Sequence, residues 1–280
     1  MTQSSGSQPL YGGHQPRRIT IKDLQAAKER GERWPMLTAY DATTARLFDQ
    51  VGVPVLLVGD SAANVVYGYA NTIPITMDEL VPLVAAVSRA TARALVVADM
   101  PFGSYQASPQ QALAEAGRFL KEGGAQAVKL EGGRRVVPQV EALVGAGVPV
   151  MGHLGLTPQS VNVMGGYKVQ GRAGAGELLL DDAKALEAAG AFAIVLEVVP
   201  AELGERVTRS VAIPTIGIGA GAGCDAQVNV WQDLVGLTPA PSAKFVRRYA
   251  EVETVIADAV KAWSADVVSG AYPSHDETYS

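Results

Sequence analysis

Short apolar runs alternate along the chain with longer stretches in which apolar residues recur every three or four positions. The runs fall at 36–39, 53–59, 94–99, 125–131, 148–153, 192–197, 213–219 and, more polar than the rest, 227–231. They are rich in Val, Ile and Leu and nearly continuous, which predicts parallel strands covered on both faces. Helices are predicted between them over 20–31, 43–52, 137–147, 175–190 and 200–211. Thr76 and Glu79 have the spacing of a capping box. Ser108 can cap a helix that has Pro109 at its first position, Gln111 three residues on, and Gly123–Gly124 as its stop. A long terminal helix is expected from roughly 242 to 269, after Pro241.

Eight strand candidates alternating with helices predict a (β/α)8 barrel, with an open doubly wound sheet as the alternative. Neither an internal repeat nor a break in composition divides the chain. A single catalytic domain is therefore expected over 19–273, between flexible tails at 1–18 and 274–280. Two connections, 61–76 and 154–176, are long and rich in turn residues, and loops of that kind in compact domains are functional or disordered. The glycine-rich stretch 156–174 is expected to form a lid.

Composition narrows the partners. With 280 residues, 48% of them apolar, the chain can bury one large core. A formal charge of -5 and a pI near 5.3 argue against a nucleic-acid or anionic-membrane surface. Cys224 is the only cysteine, so no intrachain disulfide can form and a reducing compartment is expected. No apolar run approaches the roughly 20 residues of a membrane span, and the first residues lack the apolar core of a signal peptide. A soluble, cytoplasmic protein is expected.

Candidate chemistry lies at the strand ends. The second run ends in Asp60, the third in Asp99, the fourth in Lys129 and Glu131, the fifth in His153 and the sixth in Glu197. A parallel barrel brings all C-terminal strand ends to one face, the face that carries catalysis. Lys129 and Glu131 are two apart and share one side of their strand, while Leu130 points away. Three carboxylates, Asp60, Asp99 and Glu131, held together need a cation, or their pKa values rise. An oxygen-only set suits Mg²⁺, with Mn²⁺ or Co²⁺ as substitutes, whereas Zn²⁺ would want His or Cys. Lys129 could hold a substrate carboxylate or act as a Schiff-base nucleophile. His153 could donate to an oxyanion or be a core histidine. Glu197 is free to be a general base, and a metal beside a base is the layout for removing a proton next to a carbonyl. The "GIGAGA" at 217–222 fits a dinucleotide fingerprint, but only about 60 residues follow, too few for a Rossmann half.

The segments "TAYD" (38–41), "VLLVGDS" (55–61), "ADMPF" (98–102), "VKLEGG" (128–133), "GHLGLTPQSVN" (152–162), "GGYKVQGR" (165–172), "LEVVP" (196–200) and "IGIGAG" (216–221) together closely resemble the ketopantoate hydroxymethyltransferase family. The resemblance runs from about residue 19 to 273. It implies a barrel of the phosphoenolpyruvate/pyruvate type and hydroxymethyl transfer from 5,10-methylenetetrahydrofolate to 3-methyl-2-oxobutanoate. It also implies Mg²⁺ at Asp60, Asp99 and Glu131, the 2-oxo acid at Asp60, Ser61, Asp99 and Lys129, and Glu197 as proton acceptor. A large homo-oligomer, commonly a decamer, is implied as well. The chain departs from the family pattern at Ala62, Ala63 and Asn64, at Ala70–Asn71, and at Ala226, Asn229 and Gln232, none of them at the implied metal or base positions. Another metal-dependent lyase or aldolase on the same barrel, or an inactive binding paralogue, are the rival readings.

Overall fold

A computed structural model describes residues 9–12, 17–172, 174–239 and 243–279. Eight parallel strands close into a barrel in sequential order: β1 (Trp34–Thr38), β2 (Val55–Val58), β3 (Leu95–Asp99), β4 (Ala127–Glu131), β5 (Val150–Gly155), β6 (Ala193–Glu197), β7 (Thr215–Ile218) and β8 (Ala226–Asn229), which pairs back to β1. Each predicted run supplies one strand, and the closed barrel excludes the open sheet. Strands β2, β3 and β4 are buried at every position, because helices cover the outer face while side chains fill the inside.

The helices are α1 (Ile21–Glu29), α2 (Ala42–Gln50), α3 (Ala62–Val65), α4 (Met77–Ala90), α5 (Pro109–Lys121), α6 (Val137–Gly145), α7 (Val161–Met164), α8 (Ala175–Ala188), α9 (Ala201–Ser210), α10 (Trp231–Leu234) and α11 (Val252–Ser269). Their starts follow local chemistry. The Thr76 amide donates to Glu79 at 2.8 Å, and the Glu79 amide to the Thr76 hydroxyl at 3.3 Å, closing the capping box of α4. The Gln111 amide donates to the Ser108 hydroxyl at the start of α5.

The N-terminal stretch departs from the flexible tail expected over 1–18. Residues 1–8 and 13–16 lie outside the described residues, but Leu10 is 1% exposed and packs with Ile19, Leu24 and Trp34 at the floor of the barrel. Burying a leucine is worth about 1.5–3 kcal/mol, enough to hold a short strap. Arg18 adds hydrogen bonds to the Thr91 and Ala94 carbonyls at 2.5 and 2.6 Å.

The chain divides into two compact units, Met1–Val230 and Trp231–Ser280. The terminal helix starts at 252, ten residues later than expected, and Pro241 lies outside the described residues. The Tyr249 and Val252 amides donate to the carbonyls of Leu234 and Val235, which holds the chain before α11 against the end of α10 instead of in a helix. Residues 275–277 form a 3₁₀ turn within the segment expected to be a tail. Among the described residues no helix is long and apolar enough to cross a membrane.

Candidate active site at the barrel mouth

Alternate residues of each strand face the barrel axis. Leu95 and Val97 on β3, Ala127 on β4, Met151 on β5, and Ala193 and Val195 on β6 belong to the apolar core. Continuing the same faces by twos gives Asp99, then Lys129 and Glu131, then His153, then Glu197. The apolar filling therefore ends in a layer of ionisable groups. Register places Lys129 beside Asp99 and His153 beside Glu131. Asp60, two residues past β2, turns back so that its amide donates to Asp99 Oδ2 at 3.1 Å.

All the candidate residues named from the strand ends meet here. The Lys129 ammonium is 2.7 Å from Asp99 Oδ1, 3.9 Å from Glu131 Oε1 and 3.2 Å from His153 Nδ1. His153 spans two carboxylates, with Nδ1 3.3 Å from Glu131 Oε1 and Nε2 3.2 Å from Glu197 Oε2. Asp60, Asp99, Lys129, Glu131 and His153 are all buried, and Glu197 is the most open of the set. Ser61 shares a 2.8 Å hydrogen bond with the Tyr40 hydroxyl.

Neutral side chains that the strand-end pattern does not mark complete the layer. Gln159, from the long connection after β5, donates through Nε2 to Asp60 Oδ2 at 3.0 Å and to the Met100 carbonyl at 2.9 Å. Its own amide donates to Glu131 Oε2 at 3.0 Å. The Tyr105 hydroxyl donates to Gln159 Oε1 at 2.7 Å and accepts from the Glu131 amide at 3.1 Å. Both residues are buried; Gln159 lies inside the "GHLGLTPQSVN" segment, and Tyr105 lies in none of the family-like segments.

Burial dominates the electrostatics. It raises the Asp60 carboxyl well above its ordinary range, helped by Asp99 and Glu131. Asp99 is also raised by burial, against the pull of Lys129. Burial would raise Glu131 too, but His153, Lys129 and the Gln159 amide together hold it below its ordinary value. Lys129 moves up despite burial, because Asp99, Glu131 and Asp60 surround it. Burial and Lys129 oppose protonation of His153, yet Glu131 and Glu197 raise it to about 9. Protonated at neutral pH, it pairs by charge with both carboxylates, without an aligned hydrogen bond to either, and is a poor base.

The backbone around Glu197 is specialised. Gly155, at φ +93, lies so close to it that a Cβ there would collide with the Glu197 carbonyl, and the Leu156 amide donates to that same carbonyl at 2.8 Å. The next residue, Val198, has φ 48, the only non-glycine positive φ among the described residues. A β-branched residue pays of order 1–3 kcal/mol for such a conformation, which clusters at functional sites. The Gln170 amide donates to the Val198 carbonyl at 3.0 Å, so both ends of the expected lid are tied to the site. Between them lie a 3₁₀ turn, α7 and Tyr167, whose phenol is raised by burial and by the charges of Asp60, Glu197 and Glu131. Ala173 lies outside the described residues.

As placed, no three acidic, imidazole or thiol side chains among the described residues surround a common point ready for a metal. The reason is visible: the Lys129 ammonium lies between Asp99 and Glu131. The donor set nevertheless fits a divalent ion. Asp99 Oδ1 and Glu131 Oε1 are buried without an aligned hydrogen bond, held by charge alone. Asp60, whose carboxyl is raised by burial and by the neighbouring Asp99 and Glu131 charges, is the group a cation held beside all three would return to its ionised form.

A closed parallel barrel with an ionisable layer at its C-terminal mouth defines a (β/α)8 enzyme. Solved structures with the same fold include phosphonopyruvate hydrolase complexed with oxalate and Mg²⁺ (13% identity, 92% of each chain, TM-score 0.60). Another is 2,3-dimethylmalate lyase of the PEP mutase/isocitrate lyase superfamily (17% identity, 92% of this chain and 91% of that one, TM-score 0.58). Residues 18–275 match the family described as ketopantoate hydroxymethyltransferase. The 3-methyl-2-oxobutanoate hydroxymethyltransferase of Thermobifida fusca is 63% identical over the full length of both chains. That of Frankia casuarinae is 66% identical, over 94% of this chain and 88% of its own. The chain belongs to the ketopantoate hydroxymethyltransferase family.

Proposed function

We propose that the protein forms ketopantoate by adding a hydroxymethyl group from 5,10-methylenetetrahydrofolate to 3-methyl-2-oxobutanoate. The observation that carries the reading is the convergence of Asp60, Asp99, Lys129, Glu131, His153 and Glu197 on one barrel mouth, in a chain that matches this family along its length. Asp60, Asp99 and Glu131 would hold Mg²⁺, with Mn²⁺ or Co²⁺ as substitutes. A divalent ion bound there supplies Lewis-acid polarisation to the 2-oxo acid, which acidifies its C3 proton.

The chain's own groups do the rest. Lys129, once its ammonium moves from between Asp99 and Glu131, faces the substrate carboxylate, with Ser61 beside it. Glu197 removes the C3 proton; His153, 3.2 Å away, fixes the direction of its carboxylate. The resulting carbanion attacks the bridging carbon of the opened folate iminium. Water then gives its oxygen to that carbon as the carbon–nitrogen bond breaks, and the nitrogen takes water's proton and leaves as tetrahydrofolate. The 156–174 segment excludes bulk water during these steps.

A cytoplasmic homo-oligomer, with a decamer as the expected form, goes with this reading. In keeping with assembly, α11 leaves Ile256, Val260 and Trp263 about half exposed. Ketopantoate should accumulate from the two substrates with Mg²⁺, stop on chelation and resume on adding the ion back. Normal turnover by enzyme shown to be metal-free by elemental analysis would sink the metal assignment.

A further inference from the structure

Between the exit of β4, the end of β5 and the first turns of α8 lies a cleft of about 440 Å³. Leu154, Met164, Leu178 and Leu179 line its walls, and Arg134 and Arg135 stand among its lining residues. Arg134 is engaged through Nε and its backbone amide with Asp182, a pairing that leaves its terminal nitrogens without a bond. Arg135 is exposed and has no hydrogen bond or ion pair among the described residues. Thr157, another lining residue and 4% exposed, carries a buried hydroxyl with no partner. The Asp182 carboxylate also lines the cleft and is taken up by Arg134, which leaves Arg135 as the excess charge of a cleft walled by leucines and Met164, in a protein of net charge -5. The cleft's chemistry fits an apolar ring that carries carboxylates.

We propose that this cleft takes the p-aminobenzoylglutamate tail of the folate co-substrate, with Arg135 and the free nitrogens of Arg134 pairing the glutamate carboxylates. The inference rests on the functional reading above and extends it to a part of the co-substrate that does not react. In methylenetetrahydrofolate the transferred carbon bridges N5 and N10, and N10 also bears the benzoyl tail. A tail site must therefore adjoin the place where the carbon leaves. Gly155 lines the cleft and abuts the backbone carbonyl of Glu197, so the cleft lies at the exits of β5 and β6, the latter being the strand that carries the proposed base. A smaller cleft of about 280 Å³ also adjoins the mouth, through Glu131 and Gln159, but of the two guanidinium groups it has only Arg135, set against the Glu131 carboxylate.

Calorimetry on the full chain tests the assignment with tetrahydropteroate and with tetrahydrofolate carrying one or three glutamates. The parent should bind the monoglutamate about five- to tenfold more tightly than tetrahydropteroate, the value of an exposed charge-assisted contact. Arg135→Gln should lose most of that increment and bind tetrahydropteroate as the parent does; the side chain has no partner whose loss would disturb folding. The Arg134→Gln/Arg135→Gln pair should abolish the dependence on tail length. Equal affinities in the parent, an unchanged increment in Arg135→Gln, or no binding of any folate overturns the proposal. Exchange of the C3 proton of the oxo acid by the parent without folate reports the functional reading separately. Exchange without tail-dependent binding removes only the cleft; tail-dependent binding without exchange removes only the enolisation step.

Discussion

On α1, at the floor of the barrel, Asp23 accepts from the Thr20 amide and hydroxyl and from both terminal nitrogens of Arg17. At the mouth, Asp60 accepts one side-chain hydrogen bond, from Gln159, and lies near two further carboxylates. The Arg17 guanidinium holds Asp23 well below the ordinary carboxylate range, while burial pushes Asp60 well above it. Floor charges are matched in the same way elsewhere: Lys28 donates to the Thr208 and Ile213 carbonyls and pairs with Asp225 at 3.0 Å. The floor thus uses charge to secure the fold. The mouth keeps charges whose partners are incomplete, which costs stability and leaves their interactions available to a ligand.

Replacing the proposed base, Glu197, tests the mouth most severely. Glu197→Gln keeps shape and removes proton-accepting capacity, so exchange of the C3 proton in deuterated water should fall by about 10²–10⁴. Mg²⁺ and oxo-acid affinities should stay within a few fold, because Glu197 stands apart from Asp60, Asp99 and Glu131. Exchange at the parental rate would move the base elsewhere. The raised His153, an imidazolium at neutral pH, is then a weak substitute.

Much of this division was legible before the structure. The strands stood out because burial on both faces leaves continuous apolar runs. The charged ends stood out because Asp99, Lys129, Glu131 and Glu197 interrupt those runs in the inward parity. Other features carry no such signature. Gln159 and Tyr105 are neutral and reach the layer from loops, so periodicity says nothing about them. Val198 belongs to a β-branched stretch that predicts extended backbone, yet the turn after β6 forces φ positive. Parity placed Lys129 inside the barrel but did not give its rotamer, and the rotamer puts its ammonium between the two carboxylates. The start of α11 was misplaced because amides before it find acceptors outside the helix.

Gln159 sharpens the contrast with a smaller effect. It donates to Asp60 and Glu131, two of the three proposed ion ligands, so it orients their oxygens without touching the ion. Losing such an outer partner typically costs 10–100-fold in metal affinity or activity. Gln159→Leu keeps the backbone donor to Glu131 and removes the donor to Asp60. It should weaken Mg²⁺ binding, measured by titration without substrate, by roughly tenfold or more. Hydrogen exchange in 158–164 should also quicken, since the side chain ties that segment to Asp60 and Met100. Unaltered Mg²⁺ affinity would reduce Gln159 to a packing role.

The floor should answer to pH in the sense its depressed carboxylate dictates. Asp23 binds a proton less readily when folded than when unfolded, where its pKa is about 3.9. Its contribution is therefore full above that value and is lost as pH falls through the folded pKa below it. Asp23→Asn removes the charge but leaves a polar side chain at the third position of α1. At pH 7 it should lower stability by about 1 kcal/mol, a typical value for a helix cap, with Arg17 too exposed to add much. The deficit relative to the parent should be constant from about pH 8 to 5 and shrink below about pH 4 as parental Asp23 takes up its proton. Folate-free C3 exchange should not change at neutral pH, because α1 lies at the opposite end of the barrel from Glu197. A deficit that instead grows on acidification would mean that Asp23 is held protonated in the fold, and the two ends of the barrel would then treat their carboxylates alike.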